Sequence, residues 1–120
     1  MPESDVVDRA ALNTLLAAMG GDESFLSELI DTYFADTPQL LTAMRQAIET
    51  GKAEELRRAA HSLKSNSANF GAMAMATMCK ELEEMGKNGT MAGVPERLTN
   101  LEAEYEKVRT VLQTVRDAGL

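Results

Sequence analysis

Apolar residues recur every three or four positions through most of this chain, in runs separated by glycine-bearing breaks, and that spacing is the periodicity of a helix with one buried face. Phe25, Leu26, Leu29, Ile30, Tyr33 and Phe34 open the longest run, and Leu40, Leu41, Met44, Ala47 and Ile48 continue it beyond Pro38. The spacing predicts a helix over about 22–50, capped by Asp22, kinked at Asp36-Thr37-Pro38 and closed by Thr50-Gly51. Further helices are expected over about 53–69, 72–86 and 94–117. The run over 72–86 has Met75, Met78, Cys79, Leu82 and Met85 on one side and ends in a loop, Gly86-Lys87-Asn88-Gly89. The last starts near Pro95 and carries Leu98, Leu101, Tyr105, Val108, Leu112 and Val115. Ahead of them, Asp8 is placed to cap a short helix over about 8–19 with Leu12, Leu15, Leu16 and Met19, stopped by Gly20-Gly21. Residues 1–7 read as a loose lead-in. Nothing alternates with period two over a useful length. The expectation is an all-α chain: one domain over 1–120, an antiparallel four-helix bundle running up-down-up-down, with the additional short N-terminal helix packed across one end.

Composition narrows the chemistry. Aromatic residues are 4% of the chain and hydrophobic residues 44%, with 8 Met, so the core must be built from Leu, Ala, Val and Met, which suits packed helices. Nineteen acidic residues against 12 basic ones leave a formal charge of −7, unsuited to binding a phosphate backbone, so no nucleic-acid partner is expected. One Cys and one His cannot supply an intrachain disulfide or the usual soft-ligand set for zinc. No apolar run approaches the roughly 20 residues that cross a bilayer, and the start, Met1-Pro2-Glu3-Ser4-Asp5, has neither the basic nor the apolar part of a signal peptide. A cytoplasmic, monomeric protein without direct membrane contact is expected, and Met1 with the compact length favours a free-standing one.

The lone histidine, His61, lies in Arg57-Arg58-Ala59-Ala60-His61-Ser62-Leu63-Lys64-Ser65-Asn66-Ser67-Ala68-Asn69-Phe70-Gly71. At about 100° per residue, Leu56, Ala59, Ala60, Leu63, Ser67 and Phe70 share the core direction, and His61 points about 140° away from Leu56. Its neighbours on the outer face are Arg57, Arg58, Lys64, Ser65 and Ala68. Cations beside the ring favour its neutral, nucleophilic form and also an anion placed on it, while the small Ser65 and Ala68 leave room for a second protein. Ser67, on the core face, is expected to bond a backbone carbonyl one turn back. Cys79 is expected to be buried and inert.

These residues resemble the histidine-containing phosphotransfer (HPt) domains of multistep two-component signalling. The likeness lies in Ala60-His61-Ser62-Leu63-Lys64-Ser65-Asn66-Ser67 followed by Gly71, in Phe25-Leu26-Ser27-Glu28-Leu29-Ile30 with Asp36-Thr37-Pro38, and in Cys79-x-x-Leu82-Glu83. The resemblance implies that His61 is the phosphorylated residue and Lys64 the phosphate-side cation, with Ser67 and Gly71 structural and Arg57, Arg58, Ser65 and Ala68 supporting. The family usually has Gly where this chain has Ser65. Partners implied are response-regulator receiver domains, with a hybrid sensor histidine kinase as a further one. The chain needs no cofactor of its own, magnesium being supplied by the receiver. The absence of an ATP-binding loop makes it a carrier rather than a kinase. Leu12, Leu15, Leu16 and Phe25 are candidates for the apolar patch that meets a receiver, and each could equally be core. Two alternatives stand beside this reading: the phosphoacceptor domain of a larger histidine kinase, and a transfer-incompetent module that only docks a receiver.

Overall fold

The computed structural model describes residues 6–119, and among them are five helices and no strand. They are α1 (Arg9–Ala18), α2 (Glu23–Thr50), α3 (Ala53–Asn69), α4 (Met73–Asn88) and α5 (Val94–Ala118). Side-chain caps start the first two: Asp8 and Asp22 accept from the backbone N–H groups of Ala10 and Ser24, both at 2.9 Å. Left-handed glycines Gly51 and Gly89 close α2 and α4.

Two expected boundaries move. The lead-in is not loose up to residue 7, because Val6 and Val7 are buried in the core; the rest of it, 1–5, lies outside the described residues. Gly86 is not in a loop but inside α4, which runs on to Asn88. Pro38 sits within an uninterrupted α2.

Ion pairs give the direction of packing. Arg45 of α2 bonds Glu102 of α5 at 2.8 Å, and Asp31 of α2 pairs with Arg116 of α5, so the two long helices run oppositely. At about 1.5 Å per residue α2 reaches about 42 Å and α3 only about 26 Å. The first turns of α2 therefore extend past α3, and α1 packs against α2 and α3.

α3 and α4 form the most intimate helix pair. One reason is a residue without a side chain where the helices meet, the buried Gly86 of α4. A β-carbon at Gly86 would stand 2.8 Å from both the Ala53 carbonyl oxygen and the Arg57 amide nitrogen. The core otherwise follows the expected stripes. Leu98, Leu101, Tyr105, Val108, Leu112 and Val115 all face inward from α5. Phe25 and Leu29 do not, being 52% and 40% exposed.

Candidate functional site

α3 buries Leu56, Ala59, Ala60, Leu63 and Ser67, with Phe70 buried just beyond its end, and this turns His61 to the outside, where its side chain is 57% exposed. Tight α3–α4 packing then brings Glu83 of α4 against it. Glu83 Oε2 lies 2.7 Å from His61 Nδ1, while Glu83 Oε1 accepts from Lys64 Nζ at 2.6 Å. One carboxylate thus holds both groups, one on each oxygen. The Lys64 hydrogen bond, aided by that of His61, holds the Glu83 carboxyl below the usual carboxylate range against the opposing effect of burial. An ionised carboxylate only accepts, so Nδ1 carries a proton, and in the neutral ring Nε2 is the lone-pair nitrogen.

This arrangement corrects the electrostatic reading of the sequence. Arg57 and Arg58 do not crowd the ring as free cations, because both are engaged by Glu54: Arg57 Nε donates to Glu54 Oε2 at 2.9 Å and its Nη2 to Oε1, and Arg58 Nε lies 3.5 Å from Oε1. Lys64 is drawn to Glu83. The charge in contact with the imidazole is a carboxylate, and Glu83 is the functional-site residue that local sequence did not single out. The only hint was its place in the Cys79-x-x-Leu82-Glu83 spacing.

The supporting residues divide. Ser65 is exposed and Ala68 half-buried on the His61 face, and with Ser65 in place the histidine keeps its exposure. Ser67 is fully buried and bonds across the core rather than to a carbonyl one turn back: its hydroxyl and Tyr33 Oη are 2.9 Å apart. Tyr33 also donates to Met75 Sδ at 3.2 Å, and since a thioether has no proton to give, Ser67 is the donor to Tyr33. The bonded trio links α2, α3 and α4, and burial pushes the Tyr33 phenol upward from its ordinary value. Gly71 has a left-handed φ of 75°, and a β-carbon there would lie 2.7 Å from the Asp8 carbonyl oxygen. Its own carbonyl accepts from Asp8 N–H at 2.9 Å, tying the start of α1 to the α3–α4 turn. Cys79 is buried, its thiol pushed up to about 12 by desolvation.

Beside α3, on the flank away from Glu83, a groove of about 130 Å3 is lined by Leu15, Leu29, Tyr33, Asp36, Asn66, Asn69 and Phe70. Of the apolar patch candidates, Leu12 is core, Leu15 and Leu16 are half-buried, and Phe25 is exposed. Leu29, read as part of a core stripe, joins the exposed set. Among the described residues no group of three or more His, Cys, Asp or Glu is placed to hold a metal ion, and no helix is long and apolar enough to cross a membrane.

An all-helical chain that shows one histidine to solvent, with a lysine and a carboxylate at its side, is matched by one family model, the Hpt domain, over residues 28–111. The chain belongs to that family. It is similar to histidine-containing phosphotransfer protein 2 of Arabidopsis thaliana, 27% identical over 96 residues that make up 78% of this chain and 62% of that protein. It is also similar to the crystal structure of histidine-containing phosphotransfer protein B from Pseudomonas aeruginosa, with a TM-score of 0.87, 33% identity, and coverage of 93% of this chain and 95% of that one.

Proposed function

We propose that this chain is a phosphocarrier: His61 takes a phosphoryl group from the aspartyl phosphate of one receiver domain and gives it to the aspartate of another. The observation that carries the reading is the exposed His61 with its Nδ1 pinned by Glu83, which aims Nε2 at an incoming partner. Nε2 attacks phosphorus in line, the bond to the receiver's carboxylate oxygen breaks, and that oxygen keeps the electron pair. Magnesium belongs to the receiver and offsets charge on its side of the transfer. Lys64 does so on this side, which requires its ammonium to turn from Glu83 toward a phosphoryl oxygen once the ring is loaded.

The receiver docks over the His61 face and the neighbouring α1–α2 flank, where Leu29 lines the groove and Phe25 is exposed one turn earlier on α2. The protein acts as a cytoplasmic monomer in this reading. Incubation with a phosphorylated receiver is expected to give a label stable in alkali and labile in acid, and His61→Gln to abolish it. A label that persists in that variant sinks the assignment. Receiver binding without any transfer, restored to transfer by Ser65→Gly, would favour the docking-only alternative instead.

A further inference from the structure

We infer that Glu83 keeps the Nδ1 proton on the imidazole throughout the transfer cycle, so that the phosphoryl group always departs from a protonated ring and leaves neutral imidazole behind. The inference rests on the phosphocarrier reading and assigns Glu83 a task that neither His61 nor Lys64 performs.

The chemistry follows from electron counting. When the Nε2 lone pair forms the N–P bond, the ring gains positive charge, because Nδ1 still bears hydrogen. Glu83 Oε2 at 2.7 Å from Nδ1 is placed to stabilise that charge and to hold that proton. On discharge an acceptor oxygen attacks phosphorus, the N–P bond breaks, and its electron pair returns to Nε2. With Nδ1 protonated the leaving group is neutral imidazole. With Nδ1 stripped by solvent it would be an imidazolate anion, a far poorer leaving group.

The other charged groups around the site do not take this part. From α3, Arg57 and Arg58 are occupied by Glu54, and Lys64 occupies the second oxygen of Glu83. From α4, Lys80, Glu84 and Lys87 lie within one turn of Glu83, and the buried Cys79 lies on the core side. From α5, Arg97 is paired with Glu81. Glu83 therefore acts through His61 as a positioning residue, and a variant that preserves shape but removes charge isolates its effect.

The test uses the full chain charged with phosphoramidate, a small phosphoryl donor, and follows loss of the His61 label to water by phosphorus NMR between pH 6.5 and 8.5. In the wild type the discharge rate should be level across this range, because the proton is supplied internally. In Glu83→Gln, whose melting temperature controls for folding, the rate should fall about tenfold per pH unit, because the ring must then be protonated from solvent. Nitrogen NMR of the unphosphorylated protein adds an independent readout: the wild type should show the proton on Nδ1. Matched pH profiles in the two proteins, or a wild-type proton residing on Nε2, overturn the inference while leaving the carrier reading in place. A folded wild type that takes no label on His61 overturns the carrier reading and this inference with it.

Discussion

Gly86 and Arg57 stand closer than any residue with a side chain at position 86 would permit: a β-carbon there would lie 2.8 Å from the Arg57 amide nitrogen and 3.1 Å from its α-carbon. The contact lies one turn from both His61 and Glu83, so it sets how near α4 comes to the histidine. Gly86→Ala gains helix propensity of about 1 kcal/mol, but the added methyl meets helix backbone that has nowhere to go. Net destabilisation of about 1–3 kcal/mol is expected, read from urea denaturation, together with slower phosphoryl uptake because Glu83 is carried away from the ring.

Acid should weaken the fold in a way that Glu83 explains in part. Its carboxyl is held below the usual range by Lys64 first, with His61 adding to the effect. A depressed folded-state value means that the stabilisation is complete above the ordinary carboxylate value of about 4.3 and is lost as pH falls through the lower folded value. Other paired carboxylates, Glu54 and Asp22, contribute to the same limb. The difference is therefore the measurement: urea melts of wild type and Glu83→Gln from pH 3 to 7 should converge toward the acid end.

The buried Tyr33–Ser67 bond predicts a non-additive pair. Tyr33→Phe leaves the fully buried Ser67 hydroxyl without its acceptor, costing about 1–3 kcal/mol. Ser67→Ala added to Tyr33→Phe should cost less than the sum of the two single changes. A double-mutant cycle by thermal melting gives a coupling of about 0.5–3 kcal/mol, and additive effects would show that the bond does not form.

Phe25→Asp and Leu29→Asp alter solvent-facing positions and should change stability by no more than about 0.5 kcal/mol. Transfer from a phosphorylated receiver should show a raised KM with kcat little changed, the mark of lost docking rather than lost chemistry. Uptake from phosphoramidate should be unaffected.

Cys79, buried with its thiol pushed up to about 12, should resist iodoacetamide in the native protein at pH 8 and react fully once urea unfolds the chain. Rapid native labelling would mean that the α3–α4 interface opens readily.

Helical periodicity made most of the architecture legible. The wheel of α3 alone placed Leu56, Ala59, Ala60, Leu63, Ser67 and Phe70 inside and His61 outside, and the structure has them so. What periodicity could not convey is how far each helix extends past its neighbours and how closely two helices approach. Phe25 and Leu29 fit the stripe of α2, yet they lie in its first two turns, where the shorter α3 offers less cover. Gly86 read as a loop glycine because its neighbours Asn88 and Gly89 are loop formers, whereas its small size serves the helix contact. Glu83 is one acidic residue among three in α4, and only its pairing with a histidine 22 positions earlier distinguishes it. The cations near His61 are neutralised by Glu54, one turn back on α3, and by Glu83 on a different helix, and the wheel of α3 does not pair them.

His61, Lys64 and Glu83 all belong to the α3–α4 hairpin, whereas the exposed Phe25 and Leu29 belong to α2. With the receiver docked as proposed, reactivity and partner choice are written on separate stretches of the chain. Substitutions on α2 can retune which receiver is met without disturbing the reacting groups, so a duplicated copy of this protein could acquire a new signalling route by changing a surface that never touches the phosphoryl group.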